Sequence, residues 1–219
     1  MCAKQKKELT IRSFGTNEDL GSCLGFSEGF ARAFPNEDPS SQYVKSCDWY
    51  NSAETKVILA EYKNEIVGGL LLFVPSHTAQ LLPFMSAARH LNFEGLKFSC
   101  AEIFALWNAS VTAGWGLGYF LLKTGLALTT KKGVEKTFYF APDHNVRLAY
   151  KLGFRPFHQI RGNVSYPNNN MVHLFEYAAH SFAISQNEHE AMKELAEAGH
   201  LVKNEQILGN HFEIHYNLG

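Results

Sequence analysis

A lone carboxylate in an apolar run and three alternating glycines just downstream are the residues of this 219-residue chain best suited to chemistry. Glu102 stands in CAEIFALW, where its neighbours from Ala101 to Trp107 are apolar. A carboxylate in such a strand is costly to bury charged, so its pKa rises toward neutrality and it becomes a usable general base. A solvated start to the strand would call for the same residue type, and the sequence leaves both readings open. Gly114, Gly116 and Gly118 alternate through AGWGLG. The stretch before them reads as a strand. The stretch after, Tyr119 to Leu128, repeats its apolar residues at three- and four-residue steps, as a buried helix face does. Strand, glycine loop and helix in that order bring unpaired N–H groups and a helix N-terminus to one point. That is an anion site, and phosphate is the usual occupant. Three glycines can also simply make a tight strand-to-helix turn.

The spacing excludes two better known loops. A dinucleotide fingerprint needs a third glycine three residues after the second; counted from Gly114 that place holds Tyr119, and counted from Gly116 it holds Leu121. A nucleotide triphosphate loop needs Gly-Lys followed by a hydroxyl residue, and no Gly-Lys pair occurs.

The stretch Ala113-Gly114-Trp115-Gly116-Leu117-Gly118 resembles the pyrophosphate loop of the GNAT superfamily of acetyl-CoA-dependent N-acyltransferases. In that family a Gln or Arg, two variable residues and Gly-x-Gly or Gly-x-Ala wrap the pyrophosphate of coenzyme A; here Ala113 holds the Gln/Arg place. Asn145 followed by Leu152-Gly153-Phe154 resembles the family's second signature. Ala101-Glu102-Ile103 is similar to the Ala-Glu-Ile of histone-type members, whose Glu is the general base. A family tyrosine that protonates the leaving thiolate sits five residues before the closing Phe. Ala149 holds that place, and Tyr150 is four before Phe154. One residue rotates a helical side chain by about 100°, so Tyr150 is weighed as the acid against a packing role.

The resemblance implies an α/β fold over roughly residues 8–178, with a mixed central sheet split after its fourth strand and flanked by helices. It implies that Leu106, Trp107 and Asn108 offer backbone groups to the pantetheine arm. The pyrophosphate then lies on Ala113, Gly114, Trp115, Gly116, Leu117, Gly118 and Tyr119, with Asn145 nearby. Acetyl-CoA is the implied donor and no metal is implied. The acceptor is a small-molecule amine or a protein or peptide amine, acylated directly in a ternary complex with Glu102 as base and Tyr150 as acid. The alternative is a non-catalytic acyl-CoA-binding or sensing module, suggested by the departures at Ala113 and Ala149.

Composition is compatible with this reading. Net charge is −1 and the pI is near 6.8, so no global basic field recruits nucleic acid. Lys123, Lys131, Lys132, Arg147 and Lys151 flank the loop's helices as local cations. The longest apolar run, Ile66 to Val74, contains two glycines and is too short to span a membrane. The opening MCAKQKKELTIRSF has no apolar core of signal length, so the expectation is a cytoplasmic protein whose Cys2, Cys23, Cys47 and Cys100 are free thiols.

The elements that must position these residues can be read from pattern. Leu9 to Phe14 alternates as a strand, and Asn17 to Phe34 reads as a helix with Asn17 as its N-cap and Phe26, Phe30 and Phe34 on one face. Lys56–Tyr62 and Glu65–Val74 form a hairpin about Lys63-Asn64. Pro75 to Lys97 reads as a mixed connection. Glu102–Asn108 is a strand on which strict alternation puts Glu102, Phe104, Leu106 and Asn108 on one face. Gly116–Thr129 is a helix, Lys136–Phe140 a strand, and Asn145–Leu152 a helix stopped at Gly153. Phe157–Asn163 and Val172–Tyr177 close the sheet. Residues 179–219 form a helix–strand appendage, with a capping-box variant at Asn187-Glu188-His189-Glu190, a stop at Gly199 and a strand at Phe212–Tyr216. It extends the sheet, covers the substrate, or pairs with a second subunit in a homodimer.

Overall fold

Alternating apolar residues in Leu9, Ile11 and their neighbours, and the apolar stretches Val57–Ala60 and Ile66–Leu72, commit these segments to strands. The computed structural model describes residues 6–34, 52–76, 99–156, 164–165, 171–178 and 186–219. Its elements are β1 (Lys7–Gly15), α1 (Leu20–Ala33), β2 (Thr55–Tyr62), β3 (Glu65–Phe73), β4 (Cys100–Asn108), α2 (Leu117–Lys131), β5 (Lys136–Pro142) and α3 (Val146–Lys151). They continue with β6 (Arg155–Pro156), β7 (Val164–Ser165), β8 (Met171–Ala178), α4 (Gln186–Ala198), β9 (His200–Ile207) and β10 (Asn210–Leu218). The mixed connection expected from Pro75, past Ser76, and the strand expected over Phe157–Asn163 lie outside the described residues.

The strands form one mixed sheet in the order β6-β8-β5-β4-β3-β2-β1-β10-β9, with β7 on β8. Only β4–β5 and β1–β10 are parallel among the described pairs. The β2–β3 hairpin turns at Lys63 and Asn64, both at positive φ, which is the two-residue turn whose twist suits paired strands. The C-terminal segment belongs to this sheet: β10 runs alongside β1 from Lys7↔Phe212 to Ser13↔Leu218. Strand β9, which pattern reading missed, pairs with β10 across Leu208-Gly209. Its alternation of Leu201, Lys203 and Glu205 with more exposed residues is too polar to read as a strand from sequence.

The two faces of the sheet are packed differently. One carries α2 and α4 over an aliphatic core that includes Leu9, Ile11, Leu70, Leu72, Ile103 and Ile214. The other carries α1 over Phe14, Phe26, Phe73, Phe104, Trp107 and Phe138. Gly29 makes the second contact possible, since a Cβ there would lie 2.1 Å from the Trp107 ring.

Helix α1 starts later than expected. Its N-cap is Asp19, not Asn17, because the Asp19 carboxylate accepts from the Ser22 amide at 2.9 Å and from the Ser22 hydroxyl at 2.5 Å. Arg12 donates to the same carboxylate at 2.9 Å and to Glu61 at 2.8 Å, tying helix start, β1 and β2 together. The expected box at 187–190 is likewise displaced, since α4 already runs from Gln186 and Asn187 lies inside it. The stops at Gly153 and Gly199 are present, both glycines at positive φ.

The hydrogen bonds from Ser22, and then the bond from Arg12, hold the Asp19 carboxyl down at about 2, against 3.8 for an ordinary one. A depressed carboxylate contributes stability that is complete above its unfolded pKa and is lost as pH falls through its folded value. Asp19→Ala is therefore expected to lower stability by about 1 kcal/mol at neutral pH. The difference from wild type should close between about pH 4 and pH 2, as read by urea denaturation across that range.

Candidate functional site

Strand β4 pairs with β5 only from Cys100↔Lys136 to Ile103↔Tyr139. Beyond that point the two strands part, while β5 stays fully paired to β8 and β4 to β3. A bulge sits at the parting: Leu71 faces Phe104 and Gly69 faces Trp107, so β4 carries one residue more than β3, and Ala105 takes φ +51. A bulge bends its strand and re-aims the residues beyond it.

The bulge also reverses the side-chain alternation expected for this strand. Glu102 is paired laterally with Phe73 and Phe138 and shares the aromatic α1 face with Phe104. After Ala105 it is Trp107 that joins this face, against Phe26 and Gly29. Leu106 and Asn108 turn to the opposite face, where both approach Gly118 of α2. The expected grouping of Glu102 with Leu106 and Asn108 is thus corrected by one inserted residue.

Glu102 is fully buried. It is no solvated strand start. Its neighbour Cys100 is also buried, and burial, with the charge of Glu102, pushes that thiol up to about 11. Cys23 is raised to about 11 as well, by burial first. Neither offers a thiolate at neutral pH.

The chain then makes a turn of 3-10 helix at Ser110–Thr112 and enters the glycine loop. Gly114 and Gly116 sit at φ +73 and +78, conformations that side chains disfavour. Three of the loop's amides are already bonded: Ala113 to Ser110 O, Trp115 to Thr112 O and Tyr119 to Gly116 O. Among the described residues the amides of Gly114, Gly116, Leu117 and Gly118 have no backbone acceptor, and the last two open α2, where the helix dipole is positive. A Cβ on Gly114 would meet nothing within 4 Å, so the space beside that residue is open.

The other residues singled out from sequence fall into clear places. The Trp115 side chain packs edge-on to Tyr62 at 5.0 Å and near Phe212 at 6.2 Å. Asn145 donates to the Tyr139 hydroxyl at 3.0 Å, fixing the start of α3 to β5 beside the parting. Burial is what pushes the Tyr139 phenol well above its usual range. Lys151 lies over the Tyr119 ring at 4.7 Å, beside the start of α2. Lys123 is instead buried and ion-paired to Glu205 at 3.4 Å. Tyr150 is 43% exposed with Arg155 against its ring, while its neighbour Ala149 faces the core. The structure thus brings Leu106, Asn108 and Gly118 together, sets Glu102 on the opposite face of the sheet, and leaves Tyr150 on the outer side of α3. Away from this region Glu8, Glu213 and His215 gather within 4.8 Å on the exposed face of β1 and β10, where Lys6 is ion-paired to Glu213.

The arrangement of this sheet and its helices matches that of solved N-acyltransferase structures. The chain has the GNAT fold. FeeM, an N-acyl amino acid synthase from uncultured soil microbes, is similar at a TM-score of 0.60 and 11% identity, over 79% of this chain and 92% of that one. Escherichia coli ElaA gives 0.57 and 12%, covering 77% and 98%. An acyl-CoA N-acyltransferase from Pseudomonas aeruginosa gives 0.55 and 15%, covering 78% and 99%. No protein-family model and no curated protein matches the sequence. Glu102 lies on the paired part of β4 just before the parting, and Gly114–Gly118 follow the end of that strand and lead into α2. Lys7, Ile207 and Asn210, which touch the loop from the sheet's far half, carried no local signal.

The two left-handed glycines should respond differently to alanine. At Gly114 the cost is the backbone penalty alone, about 1 kcal/mol, because the space is open. At Gly116 a Cβ would also come within 3.1 Å of Ile207, so Gly116→Ala is expected to be the more destabilising of the two in urea denaturation.

Proposed function

We propose that this protein is an N-acyltransferase that moves an acetyl group from acetyl-CoA to a primary amine by direct transfer in a ternary complex. One observation carries the proposal: the opening between β4 and β5 lies at the same end of the sheet as the unbonded amides of Gly116, Leu117 and Gly118. The fit to an acyl-CoA rests on this arrangement. The loop amides and the start of α2 suit a pyrophosphate, and the freed edge of Leu106, Trp107 and Asn108 suits the amides of a pantetheine arm. The likeness of the fold to FeeM and to the Pseudomonas acyltransferase supports the same reading.

A thioester held there supplies an electrophilic acyl carbon. Glu102 takes the proton of an ammonium through water and frees the amine to attack. An N–H on the β4 edge donates to the oxygen that becomes anionic in the transition state. The raised thiols of Cys100 and Cys23 argue against an acyl-enzyme on either of these two described cysteines, which is compatible with direct transfer. Protonation of the departing thiolate falls to Tyr150 or to solvent, and the exposure of Tyr150 favours solvent. Small-molecule amines are the first acceptors to screen, ahead of protein or peptide amines. The same exposure of Tyr150, with Ala113 in the Gln/Arg place, favours a second reading, a binding module that holds acyl-CoA without turnover.

Acetyl-CoA at about a hundred times its Kd is expected to raise the melting temperature by roughly 5–10 °C, with ATP and NADH as controls. No rise at millimolar acetyl-CoA would sink both readings for an acetyl donor and leave a longer acyl-CoA as the next ligand to test. Glu102→Gln then separates them. An enzyme should lose about 10²–10⁴ in kcat in a thiol-release assay with unchanged coenzyme A affinity, whereas a binding module shows no release in the wild type.

A further inference from the structure

The C-terminal hairpin reaches the glycine loop from the opposite end of the sequence. Asn210, the first residue of β10, donates from its side-chain amide to the Gly114 carbonyl at 3.3 Å. Its side-chain oxygen accepts from Lys7 of β1 at 2.8 Å. The Lys7 ammonium in turn sits 5.1 Å from the Trp115 ring and 5.6 Å from that of Phe212. Ile207, the last residue of β9, closes on Gly116 so tightly that three of its side-chain carbons would lie within 3.2 Å of a Cβ there. Both left-handed glycines of the loop therefore have a hairpin residue against them.

These contacts are placed where the loop needs support. As glycines, Gly114 and Gly116 have a wider choice of backbone conformation than other residue types, yet the unbonded amides are useful only if those two residues hold one of them. An ordered loop binds an anion without the entropic cost of ordering it first. Side-chain rigidity is supplied from outside the loop, since Trp115 is fixed by Tyr62, Phe212 and Lys7.

We infer that the turn of the β9–β10 hairpin is a working part of the acyl-CoA site, with Asn210 and Ile207 as positioning residues for the pyrophosphate loop and Lys7 orienting the Asn210 amide. The inference rests on the acyltransferase reading of that loop. It assigns the C-terminal extension a role in cofactor affinity, not in acceptor choice, because no hairpin residue pairs with β4 or β5.

The test is equilibrium binding of free coenzyme A to the full chain by calorimetry, with kcat and KM for acetyl-CoA measured in parallel. Asn210→Ala is expected to raise the Kd and KM roughly three- to ten-fold with kcat at saturating acetyl-CoA unchanged. Asn217→Ala, at the far end of the same hairpin and bonded to His200, should leave the Kd within about two-fold and serves as the control for a general loss of hairpin stability. Amide hydrogen exchange in the ligand-free protein gives a readout independent of turnover: residues 114–118 should exchange several-fold faster in Asn210→Ala and not in Asn217→Ala. If Asn210→Ala fails to fold, Lys7→Met tests the same relay through exchange and Kd. A wild type that binds coenzyme A, with Asn210→Ala or Lys7→Met unchanged in both Kd and exchange, overturns this inference and leaves the acyltransferase reading standing. A wild type that binds no coenzyme A overturns both.

Discussion

Much of this molecule depends on the place where one strand leaves another. Inside a sheet each backbone N–H and C=O must find a partner, and β4 satisfies this on both sides only as far as Ile103. The extra residue at Ala105 then turns the strand, and from there β4 keeps β3 on one side while, among the described residues, no strand pairs with its other side. Everything that could recognise a linear, amide-bearing ligand descends from that opening. The strained alanine is consistent with it, because a left-handed residue that is not glycine costs about 1–2 kcal/mol and persists only where the surroundings enforce it.

Keeping the gap open requires the flanking strands to be held firmly elsewhere. On one side β5 is locked by β8 along its whole length. On the other, β4 leans on β3, which leads into a long antiparallel run through β2 to β1. The helices reinforce this division. α1 seals the aromatic face through Phe26, Trp107 and the cleft left by Gly29, while α2 lies across the aliphatic face with every residue from Leu117 to Thr129 buried. A helix so completely enclosed has little freedom to tilt, so its N-terminal amides point at one spot. The β1–β10 pairing carries that enclosure further, bringing Phe212 against Phe120 at 5.3 Å.

How far this was legible in the sequence depended on whether the determinant was local. Strand, glycine loop and helix around Gly114 could be read because a period, three glycines and a second period stand in succession along the chain. The hairpin at Lys63-Asn64 and the stops at Gly153 and Gly199 were readable for the same reason. The bulge was not, since an alanine announces no left-handed backbone, and its one-residue shift moved Leu106 and Asn108 to the face opposite Glu102. Asp19 displaced Asn17 as a cap because Arg12 and Ser22 converge on it, a tertiary fact. Strand β9 escaped because its inward residues include Lys203 and Glu205, which are satisfied by Glu194 and Lys123 and not by apolar burial. The bond from Asn210 to Gly114, 96 residues apart, had no signature at all.

The position of Glu102 relative to the loop gives the gap its chemical sense. The carboxylate is on the aromatic face and the α2 amides are on the aliphatic one, separated by the thickness of the sheet. In a continuous sheet these two groups could never address one ligand. The parting of β4 and β5 removes the barrier just past Ile103, the last paired residue, with Phe104 and Ala105 as the turn. At about 3.3 Å per residue, Glu102 stands roughly 10 Å back from the bulge. On the proposed reading, a donor anchored by the α2 amides and threaded through the opening would point toward the face that buries Glu102, so the proton would pass between acceptor and carboxylate through water. If donor and carboxylate are used from the two sides of the sheet in this way, direct transfer in a ternary complex is favoured over successive use of one pocket.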